Sequence, residues 1–492
     1  PEHHLSHAAS AFYPSNLQDS AILTIDGVGE WCTASIGKGK GNKIEIIKEL
    51  NFPHSVGLLY SAFTYFLGFK VNSGEYKLMG LAPYGNTKAK KTLGYIESIK
   101  EKLVKIHDDG SIWLDQSYYN YATGLKMIKE KKWEKLFGIK TRKPEEDITQ
   151  DHCDIAIAIQ KVTEEIVIKM AKESIRITGL KNLCMAGGVA LNCVANGKLL
   201  KEGFLENLYI QPAAGDAGGA LGAALAANYI YFNTERKISE SQDRMRGTFL
   251  GPSFSAKEVT QMSKKTKAVF EKFDDFKKLN KIVAKKIAKG KVVGWFQDRM
   301  EFGPRALGCR SIIGDARDPE MQKKLNLKIK YREGFRPFAP SVLAESREEY
   351  FDLKEDSPYM LLVAPVTKDK RKNLPADFYN KELWERLYTQ RSDLQAITHL
   401  DFSARIQTVH KETNPKYWSL IKEFKNQTGC PIVVNTSFNV RGEPIVCSPY
   451  DAYRCFMSTE MDYLVINNFL YTKTAQLDWK NREKWRIKFK MD

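Results

Sequence analysis

Three of the chain's eight histidines fall within its first seven residues, as His3, His4 and His7. An alanine-rich helix over HLSHAASAF, stopped by Pro14, puts His3 and His7 four apart on one face, the spacing at which two imidazoles share a metal ion. His4 is turned about 100° away from His3 by the same geometry. A carboxylate, Asp26, follows the short apolar strand AILTI and precedes Gly27-Val28-Gly29, where α/β folds bind ligands. A second carboxylate, Asp216, sits in AAGDAGGALG between a strand and a helix N-terminus. Two imidazoles and two carboxylates form a hard N/O set that suits iron, manganese or zinc, and ligand chemistry alone does not choose among them. Taken separately, each Asp is as readily a turn former or a helix cap.

The pairs Gly187-Gly188 and Gly218-Gly219 each precede a helix, where free backbone N–H groups and the helix dipole favour a phosphate. Taken singly, such glycines serve as readily for close packing; together with Asp26-Gly27 they sketch a nucleotide cleft. In the second half, four separated segments set Arg or Lys beside Gly, Pro and small polar residues: DRMEFGPRALGCRSIIGDARD, LKIKYREGFRPFAPS, DFSARIQTVH and VVNTSFNVRGEPIV. Such composition clamps phosphate or carboxylate through bidentate guanidinium contacts, with structural salt bridges as the alternative. Arg305 and Arg441 adjoin turn residues, which aims them at a ligand.

The elements that must position these residues alternate between strand and helix. AILTI, WCTASIG and IEIIKEL read as a three-stranded meander, SVGLLYSAFTYFLGF and residues 151–178 as helices, and two strand–loop–helix units carry the glycine pairs. A polar stretch at residues 233–248 divides the chain into an expected domain over 1–240 and another over 249–492. The second opens with a capping box, Ser255 to Glu258, then a basic helix and the buried strand VVGWFQ, with later strands MLLVAPV, CPIVVN and YLVIN. Both halves are α/β.

At 492 residues, with 43% hydrophobic and 27% charged residues, the chain is a globular protein of two domains, which excludes disorder and a disulfide-stapled miniature fold. The eight cysteines include no CxxC pair, so reduced thiols in a cytoplasmic protein are expected and a structural zinc site is not. No apolar run reaches membrane-spanning length. The net charge of +17 invites phosphate, but the lysines are spread over helix surfaces among acids, so small phosphorylated ligands are expected ahead of nucleic acid.

HHLSHAASAFYPS, LTIDGVGEW, EYKLMGLAPYG, AGGVALN, FGPRALGCRSI, RPFAPS and NTSFNVRGEP together resemble, in order, the O-carbamoyltransferases of the nodulation and antibiotic-tailoring type. The resemblance runs from Pro1 to about Thr472. It implies an ASKHA-type (actin-like) carbamoyl-transfer domain followed by a YrdC-like domain that forms carbamoyl-adenylate from carbamoyl phosphate and ATP. The carbamoyl group would then pass to a hydroxyl of a small-molecule acceptor. By motif, the resemblance implies Fe2+ (or another divalent metal) on His3, His7, Asp26 and Asp216, and selects His3 over His4. It implies a nucleotide pocket lined by Asp26, Gly27, Gly57, Gly187, Gly188 and Gly218, with Mg2+ accompanying ATP. Around carbamoyl phosphate and the adenylate it implies Arg305, Lys330, Arg336, Arg405 and Asn435, with Lys328 close in sequence to Lys330. It further implies an opening strand and a His/Asp loop ahead of Pro1, on which the transfer step depends; the sequence is expected to begin inside a domain. A tRNA-modifying threonylcarbamoyl transferase and a catalytically idle ATP-binding scaffold are the competing readings. The acceptor is not legible, and the oligomeric state, a homodimer included, stays open.

Overall fold

The computed structural model describes residues 1–238, 243–378 and 381–479. The chain divides into two compact units, Pro1–Arg244 and Met245–Asp492, each mixed α/β. The expected polar linker partly coincides with residues 239–242, outside the described residues. Its start belongs to the first unit: Arg236 is buried with its guanidinium 4.1 Å from the Phe12 ring centroid, donating to the carbonyls of Phe12 and Ser15. A cation closing the C-terminal end of a helix in this way satisfies carbonyls that the helix leaves open.

The first unit opens with helix α1 (His3–Phe12), which ends just before Pro14. Strands β1 (Asp19–Ile25), β2 (Cys32–Lys40) and β3 (Lys43–Asn51) form the antiparallel meander. Helix α2 (Val56–Phe66), capped by Ser55, comes next, then a small hairpin, β4 (Val104–Ile106) and β5 (Ile112–Leu114). The long helix α3 (Gln150–Thr178) starts in a Thr149/His152 capping box and stops at Gly179, whose φ of +68° a side chain would strain. Strands β6 (Asn182–Ala186) and β7 (Asn207–Ile210) alternate with helices α4 (Cys193–Lys201) and α5 (Asp216–Ala226). The sheet runs β3-β2-β1-β6-β7, with β1, β6 and β7 parallel. Three parallel strands therefore deliver their C-terminal loops to one edge, carrying Asp26, Gly187-Gly188 and Asp216. Helices α1 and α5 approach so closely that a Cβ at Gly222 would fall 1.8 Å from the Ser6 carbonyl oxygen. This glycine sets the distance between the helices bearing His3, His7 and Asp216.

The second unit begins with helix α6 (Ala256–Thr266), opened by the Ser255/Glu258 capping box, and contains α7 (Phe276–Ala288), α8 (Pro415–Thr428) and α9 (Pro449–Ser458). Its strands are β8 (Glu271–Lys272), β9 (Val293–Phe296), β10 (Arg310–Asp315), β11 (Ala339–Leu343), β12 (Leu362–Pro365), β13 (Ser403–Val409), β14 (Ile432–Ser437), β15 (Tyr463–Ile466) and β16 (Phe469–Thr472). They form one sheet ordered β12-β13-β11-β14-β10-β9-β15-β16-β8. Here the sequence reading needs correction: β10, β11 and β13 lie inside segments read only as polar ligand-binding stretches, yet they are central strands. Pro340 obscures β11, since a proline argues against an interior strand. It is tolerated because β11 pairs with β13 only from Ser341 onward.

Among the described residues, no helix is long and apolar enough to cross a membrane, and the eight cysteines are unpaired.

Candidate metal centre and anion-binding site

In the first unit His3 Nε2 lies 2.9 Å from Asp26 Oδ2, and His7 Nε2 lies 3.1 Å from the same oxygen and 3.0 Å from His3 Nε2. Asp216 Oδ1 stands 3.6 Å from His3 Nε2 and 3.8 Å from His7 Nε2. Each of these four residues thus offers one donor atom within 4.8 Å of the others. His7 is fully buried, while Asp216, the first residue of α5, faces outward. With the two Nε2 atoms 3.0 Å apart, N–H groups from both histidines on the one Asp26 oxygen crowd each other, whereas a shared cation satisfies all three donor atoms at once. Donors about 3 Å apart subtend roughly a right angle at a metal about 2.1 Å from each, which fits two imidazoles and a carboxylate on one face of a divalent ion. Burial by itself raises the Asp26 pKa, but hydrogen bonds from His7 and His3 outweigh it and hold the carboxyl well below the usual carboxylate range.

Several neighbours hold these ligands, and the sequence did not reveal them. Glu30 accepts from the His3 backbone N–H with both carboxylate oxygens, at 3.1 and 3.2 Å. The Ser55 hydroxyl lies 3.1 Å from the Asp26 carbonyl and 2.6 Å from that of Gly27, which ties the start of α2 to the Asp26 turn. His4 points away from the cluster: its Nδ1 is 2.6 Å from Thr24 Oγ1, which in turn meets Ser35 Oγ at 2.6 Å. Burial, then the nearby His7, lowers its pKa to about 4.

The glycines act differently from the phosphate-cradling expectation. Gly187 N–H donates to the Ala214 carbonyl and Gly188 N–H to Asp26 Oδ1 at 3.0 Å, so neither is free for a phosphate. What they provide is closeness. A Cβ would lie 2.2 Å from the Ile25 oxygen at Gly187, 2.9 Å from Asp26 Oδ1 at Gly188 and 2.5 Å from the Asp26 oxygen at Gly57. Gly218 packs equally tightly on the Ala213 carbonyl, while Gly27 faces open space. Together Gly57, Gly187 and Gly188 clamp Asp26.

In the second unit the four polar segments converge around the end of β14. Lys330, closing a turn of helix at Leu325–Lys330, is buried. Its Nζ donates to the Ser437 carbonyl, the Asn439 carbonyl (3.0 Å) and Asn439 Oδ1 (2.7 Å), and lies 3.2 Å from Ser437 Oγ. Burial, with Arg332 and Arg336 nearby, pushes its amine well below the usual lysine range. Lys328, by contrast, is exposed beside Glu460. Glu333 bridges two guanidinium groups, 3.5 Å from Arg336 Nη1 and 3.4 Å from Arg441 Nη2. Asn435, in the middle of β14, donates to the Ala306 carbonyl beside Arg305 and to Gln407, two residues beyond Arg405 on β13. The loop bearing Arg305 is anchored by buried Glu301, whose Oε1 accepts from the N–H groups of Leu307, Cys309 and Arg310 at 2.7, 2.8 and 3.2 Å. A carboxylate held by three donors makes that loop a fixed platform. Burial raises the pKa of Glu443, on the turn after β14, to about 7.

This two-unit α/β chain, with a four-residue N/O cluster in one unit and arginine-bearing segments converging on β14 in the other, matches known proteins along most of its length. Residues 1–225 match the family described as Carbamoyltransferase N-terminus, and residues 284–473 match Carbamoyltransferase C-terminus. Over 495 aligned residues the chain is 55% identical to an uncharacterized protein of Synechocystis sp., covering 100% of this chain and 79% of that one. It is 35% identical to nodulation protein NolO of Bradyrhizobium diazoefficiens, over 97% of this chain and 80% of that protein. It is 37% identical to nodulation protein NolNO of Sinorhizobium fredii, over 97% of this chain and 64% of that longer protein. The chain belongs to the carbamoyltransferase family and is an enzyme of that class.

Proposed function

We propose that the chain is an ATP-dependent O-carbamoyltransferase that makes carbamoyl-adenylate from carbamoyl phosphate and ATP and hands the carbamoyl group to a hydroxyl of a small-molecule acceptor. The observation that carries this reading is the convergence on β14 of segments bearing Arg305, Lys330, Arg336, Arg405 and Asn435, through contacts of Asn435 with Ala306 and Gln407 and of Lys330 with Ser437, in a chain whose other unit holds a four-residue N/O cluster.

In the first half-reaction water splits carbamoyl phosphate into carbamate and phosphate. A carbamate oxygen then attacks the α-phosphorus of ATP, forming the mixed anhydride and expelling pyrophosphate. Little of this asks for covalent help from the protein; it asks for positioned positive charge on phosphoryl oxygens, with Mg2+ accompanying ATP. Arg305 on its anchored loop, and Arg336 and Arg441 joined through Glu333, supply that charge, while buried Lys330, donating to Ser437 and Asn439, fixes the turn after β14. In the second half-reaction the acceptor oxygen attacks the carbamoyl carbon, the bond to AMP breaks, AMP leaves with the electron pair, and the hydroxyl proton goes to solvent. His3, His7, Asp26 and Asp216 would hold a divalent metal, Fe2+ by family resemblance, which supplies Lewis-acid polarisation of the adenylate phosphate. Gly57 and Gly188 keep Asp26 fixed for that task.

Incubation with ATP and carbamoyl phosphate, each omitted in turn, tests the reading. Pyrophosphate release that needs both supports it; release that is absent with folded protein, or independent of carbamoyl phosphate, overturns it.

A further inference from the structure

Helix lysines in the first unit have acidic partners: on α3, Lys161 meets Glu164 at 3.0 Å and Lys172 meets Glu202 at 2.7 Å. Helix α7 of the second unit, FKKLNKIVAKKIA, differs. It buries Leu279, Val283 and Ile287, leaves Lys277, Lys278, Lys281 and Lys285 exposed, and is followed by exposed Lys289. By helix geometry Lys278, Lys281, Lys285 and Lys289 share an arc of about 80° and a length of about 16 Å on the side away from the core. Among the described residues, no carboxylate forms an ion pair with any of the five.

This arrangement costs the helix stability. Lysines four apart set like charge against like charge, and Lys277 and Lys278, in the first turn, oppose the helix dipole. A partner of opposite charge removes both costs. The face that carries the lysines is broad and flat, because α8 lies beside α7 on the second sheet. Asn280 Nδ2 donates to Ser419 Oγ at 3.0 Å, and Gln427 Nε2 to the Lys281 carbonyl at 3.1 Å. Helix α8 buries Leu420, Ile421 and Phe424, so its outward side adds Lys422. Neither helix contains arginine, so the face presents point charges and none of the guanidinium forks that read phosphates and base edges in nucleic acid. Two helices side by side are also too broad for a duplex groove. Their apolar sides are already buried, which leaves nothing to insert into a bilayer. The complement of such a face is a plane of negative charge met at its surface.

We propose that the outer face of α7 and α8 is a docking surface for an anionic phospholipid bilayer, held by the lysine ammonium groups against lipid phosphates and carboxylates. The inference holds whichever reaction the chain catalyses. Contact without insertion is reversible and weakens as salt screens it.

Vesicle sedimentation of the full chain tests this, comparing phosphatidylcholine alone with phosphatidylcholine carrying about 30% phosphatidylserine, at about 0.1 M salt. Binding is expected to the anionic vesicles only, and to fall at least about tenfold at about 0.5 M salt. Each lysine near such a surface strengthens binding about fivefold, so the combined Lys278→Ala, Lys281→Ala, Lys285→Ala and Lys289→Ala variant is expected to bind at least about 100-fold more weakly. Alanine is the best helix former, so α7 is retained. The control removes the same charge from exposed lysines of the first unit, as Lys102→Ala, Lys105→Ala, Lys131→Ala and Lys135→Ala, and is expected to stay within about threefold of the wild type. Absence of binding to anionic vesicles, equal binding to neutral ones, or equal loss in the control overturns the proposal. So does tighter binding of a short RNA or duplex DNA that depends on the same α7 lysines, which would make the partner a nucleic acid. Should the α7 variant not fold, the two vesicle compositions and the control still decide.

Discussion

Replacing His7 with alanine removes two of the three closest donor contacts in the N/O cluster, those to His3 (3.0 Å) and to Asp26 (3.1 Å). His3, Asp26 and the more distant Asp216 remain. Four-ligand metal sites bind with about 10–16 kcal/mol, so one ligand is worth about 3 kcal/mol, and His7→Ala is expected to weaken metal binding by roughly 100-fold. The matched control is His4→Ala. It also removes a buried imidazole from the same helix, but one bonded to Thr24. That variant is expected to lose about 1–3 kcal/mol of folding stability and keep its metal. The assay is metal content per chain after loading with Fe2+ and desalting, with the melting shift on adding metal as a second readout. A ligand at 100 times its dissociation constant stabilises the folded state by about 2.7 kcal/mol, and a 100-fold loss of affinity removes most of that shift. Equal metal content in the wild type and both variants, or loss in His4→Ala alone, would refute the assignment of ligands.

Three further outcomes follow from the geometry. Gly188→Ala places a methyl group 2.9 Å from Asp26 Oδ1, so metal affinity measured by titration should fall about tenfold, as for other displaced supporting groups. Glu301→Leu strands the N–H groups of Leu307, Cys309 and Arg310, and urea denaturation should show a loss of at least about 3 kcal/mol. Glu443 has its pKa raised by burial from 4.5 to about 7, so the folded state holds the extra proton. That contribution is full below about pH 4.5 and is lost as pH rises through about 7. Glu443→Gln should therefore gain roughly 2 to 3 kcal/mol on the wild type between pH 5 and pH 8, read from denaturation at each pH.

How much of this was legible in the sequence varied with the kind of signal. The His3/His7 spacing, Asp26 at a strand end and Asp216 at a helix start are local patterns, and the fold gathers those four residues because β1 and β7 end at one side of the sheet and α1 packs closely on α5 at Gly222. Both halves read as α/β, and both are. Glu30, Ser55, Glu301 and Gln407 were not legible, since each is defined by partners distant in sequence or hidden in a loop: Gln407 meets Leu307 across 100 positions. For Gly187-Gly188 the structure favours close packing over a phosphate cradle, because whether a backbone N–H is free depends on what faces it, here Ala214 and Asp26. Strands β10, β11 and β13 were missed because arginine, glycine and Pro340 interrupt the apolar alternation that marks a strand, and those interruptions are where the site is built.

The most direct measurement is rapid quenching of the full chain with carbamoyl phosphate, ATP and Mg2+, without acceptor, followed by mass spectrometry of the nucleotides. The account predicts AMP bearing a carbamoyl group, appearing with pyrophosphate and absent when Arg305 or Lys330 is replaced. Pyrophosphate accompanied only by free AMP, or ATP left intact beside folded protein, would contradict it.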